Sequence, residues 1–193
     1  PGADRILACV VGQRDPGLVV GPTHRSLSLR PPGSGWRDVL ESAFEVRPAS
    51  EVQTPNDAEA RAEEADPPGA MVLWSRGEVA RLLVPRPGAL ADHGLDDEEG
   101  GIPSLVFSRL ILDAALGIDE QEARDRAALS YHRDPEEAAN AAGAHGAAFY
   151  LPSPTVDAVW SAARARRRLP PKTTYFWPKL PTGLLFRELA PVG

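Results

Sequence analysis

Twenty prolines and 17 glycines punctuate the 193 residues, about 19% of the chain against the roughly 12% usual for globular proteins. Proline removes a backbone donor and glycine opens φ to positive values, so each tends to end or bend regular structure. A chain interrupted this often folds into short elements joined by many loops. Its 42% hydrophobic and 25% charged residues are otherwise ordinary for a folded protein and exclude a wholly disordered chain. A single domain, 1–193, is expected at this length, able to bury about 70% of its unfolded surface without a metal or disulfide staple. No apolar run approaches the roughly 18 residues of a membrane span, and no charged-then-apolar leader opens the chain, so a cytoplasmic protein without membrane contact is expected. The one cysteine, Cys9, excludes an internal disulfide and a cysteine-rich metal site.

Charge is uneven. Residues 151–193 hold seven basic and two acidic residues, a balance of +5; the net charge of −6 then leaves −11 on the first 150. A basic segment can seek an anion or dock on the acidic body. Nineteen of the 21 basic residues are arginine, and the only lysines are Lys172 and Lys179. Arginine and lysine are not interchangeable where a compact ammonium is needed, so two lysines seven residues apart point to a specific role.

The chain begins at Pro1 rather than methionine and reaches the strand-like run Ile6-Leu7-Ala8-Cys9-Val10-Val11 almost at once. It therefore reads as the C-terminal part of a longer protein whose N-terminal half is a partner. Residues 6–12 and 18–20 predict strands, and 31–35 a loop. Trp36, Val39, Leu40 and Phe44 fall at helical spacing. Thr54-Pro55 opens a polar helix to about Ala65. Met71–Trp74 and Val79–Val84 predict a hairpin, followed by a solvated acidic loop over 85–101. Pro103 starts an apolar helix that Gly117 ends, and Asp119 caps a short one. A strand at 128–131 leads through Asp134-Pro135 to a helix near Ala142, then a strand at 147–151. A helix from Thr155 to Arg168 is expected to bury Val156, Val159 and Trp160, and 182–186 to form a closing strand. Strands and helices mix without βαβ alternation, so the expected class is α+β, with a mixed, mainly antiparallel sheet and helices packed on it.

Three stretches carry chemistry. In residues 17–25, Gly-Leu-Val-Val-Gly-Pro-Thr-His-Arg, a strand breaks at Gly-Pro and delivers Thr23, His24 and Arg25. His24 can serve as acid or base near neutral pH, and Arg25 can clamp an oxyanion in bidentate fashion. In residues 130–134, Ser-Tyr-His-Arg-Asp, a second strand end presents His132 and Arg133. A protein-kinase catalytic loop is excluded, because Ala139 stands where that pattern requires asparagine, and there is no glycine loop or Asp-Phe-Gly. Asp134 caps the following helix instead. Residues 169–179 interleave Lys172, Thr174, Tyr175 and Lys179 with aromatic residues between prolines, an extended path that alternation would divide into Lys172, Thr174 and Phe176 on one side and Thr173, Tyr175 and Trp177 on the other. Such interleaving also suits single-stranded nucleic acid, but the acidic balance opposes it. His93 and His145 have no metal-ligand spacing, and no metal site is expected.

At these stretches the chain resembles the family known as domain of unknown function 1015, an uncharacterised bacterial and archaeal group. The likeness rests on residues 17–25, Leu116-Gly117-Ile118, Tyr131 to Ala138, and Pro170-Pro171-Lys172-Thr173-Thr174-Tyr175-Phe176-Trp177-Pro178-Lys179. The resemblance implies the C-terminal half of a protein about twice as long, and a loose association with serine and phosphoserine metabolism. The chain departs from the family at Phe107-Ser108-Arg109, where members often carry a histidine. The residues together lead to an expected pocket for a small phosphorylated or carboxylate metabolite. Thr23, Arg25, Arg133, Lys172, Thr174, Tyr175 and Lys179 would bind the anion, and His24, then His132, would do acid–base work, as in a phosphotransferase. The rival readings are a non-catalytic ligand-binding or regulatory module and, third, a nucleic-acid binder.

Overall fold

The computed structural model describes residues 8–12, 14–29, 40–67 and 69–184. Elements are short, as the proline and glycine content requires. In chain order they are β1 (Val19–Gly21), β2 (His24–Leu27), β3 (Phe44–Pro48), α1 (Pro55–Glu63), β4 (Met71–Trp74), β5 (Arg81–Pro85), α2 (Ala89–Asp92), α3 (Asp97–Gly100) and α4 (Pro103–Val106). A π-helical segment (Phe107–Leu116) continues α4, followed by α5 (Glu120–Asp125), β6 (Leu129–His132), α6 (Pro135–Ala142), β7 (Ala147–Tyr150), α7 (Val156–Arg164) and β8 (Tyr175–Trp177).

Helix ends follow local chemistry. Thr54 and Asp57 form a reciprocal capping box with Pro55 in the first turn. Asp119, Asp134 and Thr155 each accept a backbone N–H at the start of α5, α6 and α7. Gly117, at φ 66°, ends the π-helical segment in the left-handed conformation that glycine adopts without strain.

The chain divides into two compact units, Val20–Tyr175 and a smaller one made of residues 1–19 and 176–193. The larger contains a six-stranded sheet in the order β3-β5-β4-β7-β2-β6, antiparallel at every pairing, and the helices lie in the same unit. This is an α+β fold. One face of the sheet packs Leu27, Met71, Leu73, Leu83 and Phe149 against Phe107, Leu110, Ile111 and Leu112 of the π-helical segment and Ala123 of α5. The other packs Val72, Leu82, Ala148 and Tyr150 against Ala58 and Ala62 of α1 and Ala138 and Ala142 of α6. β1 and β8 form a separate two-stranded sheet. In the smaller unit Val10, Val11, Val19, Trp177, Leu180 and Leu184 are exposed, and a groove of about 600 Å³ is lined by Cys9, Val11, Asp15, Leu18, Phe176, Lys179 and Leu180.

Several expectations need correction. Residues 8–12 are not a strand, and 6–7 lie outside the described residues. Leu40 is helical, but Phe44 opens β3, pairing with Pro85; the rest of the expected helix, 36–39, and the loop at 31–35 also lie outside. Thr182–Leu184 form a turn, with 185–186 outside. The loop at 85–101 contains the single-turn helices α2 and α3. On α7, Trp160 is 54% exposed, Val156 and Val159 are only partly buried, and the buried residue is Ala162. Ala158, Ser161 and Ala162 line a small void together with Ile102 and Leu105, so small residues take the inward face and Trp160, about 200° round the helix from Ala158, points out. The alternation expected over 169–179 fails at Lys172, whose φ of 57° turns the chain.

Candidate functional site

β2 is paired with β7 along one edge and β6 along the other, and helices pack on both faces of the sheet, yet three of its four residues are His24, Arg25 and Ser26, none more than 1% exposed. Polar groups this deep need partners, and period-two alternation sends neighbours to opposite faces. His24 and Ser26 face α1 and α6; Arg25 and Leu27 face the π-helical segment and α5. The sheet therefore separates the histidine chemistry from the arginine chemistry.

On the first face His24 Nε2 lies 3.0 Å from Glu59 Oε1 of α1, and its ring is 5.0 Å from that of Tyr150. A carboxylate only accepts, so Nε2 carries the proton and Nδ1 keeps its lone pair. Nδ1 is buried and has no partner among the described residues. Burial pulls the His24 pKa below its ordinary value, opposed by Glu59 and Glu63, while Arg25 adds to the lowering. Ser26 donates to the Ala138 carbonyl at 2.7 Å and Tyr150 to the Pro135 carbonyl at 2.9 Å, which fixes α6 on this face. His132 is the cross-strand partner of His24; its Nε2 is 2.9 Å from Ser130 Oγ and its Nδ1 3.9 Å from Glu137 Oε2. The two strand-end histidines thus meet in register at one end of the sheet.

On the second face Arg25 is 1% exposed. Nη1 donates to the Thr23 carbonyl at 2.6 Å, and Nη2 to the carbonyls of Pro171 and Lys172 at 3.1 and 3.3 Å. The guanidinium carbon sits 4.7 Å over the Tyr131 ring. Among the described residues no carboxylate lies within ion-pairing distance of it. Burial lowers its pKa to about 10, with Glu120 and Tyr131 acting in the opposite sense. Glu120 accepts from the Tyr131 and Ser108 hydroxyls, and burial, then this bond, raise the Tyr131 pKa. The Thr173 hydroxyl donates to the Pro170 carbonyl at 2.7 Å and lies 2.8 Å from Ser104 Oγ, bolting the 170–173 turn to α4. Arg133, at the end of β6, places its guanidinium 4.3 Å over the Tyr175 ring.

Of the residues expected from sequence, Thr23, Arg25, Lys172 and the Arg133–Tyr175 pair belong to connected structure around the 170–175 segment. Thr174 is half-buried within it, and Lys172 is exposed. Arg25 is spent on carbonyl groups, and Thr23 contributes its backbone oxygen. Lys179 is exposed in the smaller unit. Glu59, Tyr131, Glu120 and the Ser104–Thr173 pair were not anticipated. Glu59 and Glu63 each follow a buried alanine on α1, Ala58 and Ala62, and that spacing was the available signal. Among the described residues no cluster of three or more His, Cys, Asp or Glu could hold a metal, and no helix is long and apolar enough to cross a membrane.

No family model matches the chain, and no curated protein matches it. Its backbone is similar to that of a free serine kinase mutant in complex with ADP, with a TM-score of 0.48 and 16% identity, covering 88% of this chain and 58% of that one. A second such mutant, in complex with AMP, gives 0.47 and 17% over 86% and 57%. A conserved hypothetical protein from Pyrococcus furiosus gives 0.46 and 16% over 87% and 60%. The chain thus spans under two thirds of the length of these structures.

Proposed function

We propose that this chain binds a small anionic metabolite, phosphorylated or carboxylate, on the Arg25 face of the sheet beside the 170–175 segment. Buried Arg25 carries the reading. It is a cation removed from water whose hydrogen-bond partners are carbonyl groups, and it holds the turn that displays Lys172. Burying an unneutralised guanidinium is costly, and an arriving anion offsets that cost. Arg133 on Tyr175 supplies a second cation held in one orientation. Calorimetric titration of the whole chain with inorganic phosphate, a phosphorylated hydroxy acid and a dicarboxylate tests this. Saturable binding weakened by Arg133→Ala is the expected result; no heat from any of the three would refute it.

The more specific form is a phosphotransferase in which His24, oriented by Glu59, is the acid–base group and His132 the second. The depressed pKa of His24 and its open Nδ1 support that form. Its burial on the opposite face from Arg25 favours the non-catalytic ligand-binding module instead. Phosphoryl transfer from ATP that disappears in His24→Gln, with the melting temperature retained, would decide for the enzyme. Binding without turnover would decide for the module. The likeness to domain of unknown function 1015 supports a further proposal, that an N-terminal half of the same protein completes the unit. A co-expressed N-terminal half that does not co-purify with this chain would count against it.

A further inference from the structure

The carbonyls of Pro171 and Lys172 both accept from one nitrogen, Nη2 of Arg25. In a trans peptide the N–H points opposite to the C=O. The N–H groups of Lys172 and Thr173 therefore point away from Arg25, that of Thr173 into the turn that closes on the Pro170 carbonyl. Among the described residues the Lys172 N–H has no hydrogen-bond partner. The φ of 57° at Lys172 is a left-handed value of the kind found in anion-binding backbone concavities. That conformation is unfavourable for a residue with a side chain, so the surrounding structure must impose it. Here the imposing groups are visible: Arg25 holds two carbonyls from behind, and Thr173 is tied to Ser104 and to the Pro170 carbonyl. The guanidinium behind the turn polarises the same two peptide groups, raising the positive character of their N–H ends. Lys172, one of only two lysines, brings an exposed ammonium to the same turn.

We propose that the 171–173 turn is a backbone oxyanion site. The Lys172 N–H grips a phosphate-type group, the Lys172 ammonium neutralises it, and Arg25 is a positioning residue that builds the site from behind without touching the ligand. The proposal rests on the anion-binding reading above and deepens it. It names the residue that holds the anion and prefers a tetrahedral oxyanion, inorganic phosphate or a phosphate monoester.

The test is titration of the isotopically labelled whole chain with inorganic phosphate, followed through backbone amide resonances. A parallel titration uses Lys172→Gly, because glycine adopts a positive φ freely and keeps the turn while losing the ammonium. A saturable downfield shift at Lys172, with affinity reduced about tenfold in Lys172→Gly, is expected. Saturable shifts elsewhere, with Lys172 unmoved, would overturn this site while leaving anion binding intact. Equal affinity in wild type and Lys172→Gly would overturn the assigned role of the ammonium. An absence of saturable shifts up to about 10 mM phosphate would overturn both the site and the broader reading.

Discussion

Arg25 and His24 are neighbours with opposite duties. Arg25 serves three carbonyl groups through two nitrogens, a fork that lysine cannot reproduce. Arg25→Lys should cost about 2 kcal/mol by leaving part-buried carbonyls without a donor, read as a lower urea midpoint at unchanged slope. An unmoved midpoint would show that the turn does not depend on the fork. His24 should make stability depend on pH. The unfolded imidazole takes up a proton as pH falls through its ordinary value of 6.5. The folded one resists because burial disfavours the cation more than Glu59 and Glu63 favour it, with Arg25 opposing protonation too. The unfolded state then binds more protons, so the His24 contribution, complete above 6.5, is lost as pH drops toward the lower folded value. Asp57 and Asp96, held low by hydrogen bonds, matter only below about pH 4. Melting temperature should fall from pH 6.5 to 5 in wild type and fall less in His24→Gln. Parallel curves would mean that His24 is not held neutral.

At the scale of elements, the strongest local rules were legible. Thr54-Pro55, Asp119, Asp134-Pro135, Thr155 and Gly117 marked helix ends because capping is decided by adjacent residues. The β4–β5 hairpin was legible for the same reason. β3 was not: Phe44 fits the helical spacing that starts at Trp36 and equally the period-two pattern with Val46, and only pairing with β5 settles it. The division of the site was missed because Gly21-Pro22 reads as the break that ends a strand, whereas a new strand begins at His24. Recognised as a central strand, alternation alone would have parted His24 and Arg25. The placement of β7 beside β2 shows what such pairing demands. A Cβ on Gly146 would run into the backbone oxygens of Leu27 and Ala142, and Leu27 is the β2 partner of Ala147. Neither oxygen can move without unpairing the sheet or unwinding the end of α6. Gly146→Ala should therefore destabilise by about 3 kcal/mol or more, measured by chemical unfolding. A loss under about 1 kcal/mol would show that the strand can shift to accept a methyl group.

Over the whole molecule the two-sign charge pattern was readable by counting, but the destination of the basic segment required contacts between residues far apart in sequence. Arg167 answers part of the question: its Nη1 lies 2.8 Å from Asp96 Oδ2 and 2.5 Å from Glu99 Oε1, so the basic segment docks on the acidic loop of the same unit. Arg164, Arg166 and Arg168 remain exposed around it. A nucleic acid approaching this surface meets Arg167 already neutralised and carboxylates on both sides of it, within a chain of net charge −6. Binding to single-stranded DNA releases counterions for each phosphate neutralised, so affinity falls steeply with salt when many contacts form. With few cations to offer, this chain should bind a labelled oligonucleotide weakly, its affinity dropping less than about tenfold between 50 and 200 mM salt, as anisotropy would show. A drop of about a thousandfold would reveal a phosphate-tracking surface and move the function from small anions to nucleic acid. The small-anion reading predicts the contrast within one protein: Lys172→Gly weakens phosphate binding and leaves the faint oligonucleotide signal where it was, because one turn offering a single N–H and an ammonium can seat one oxyanion but cannot follow a strand.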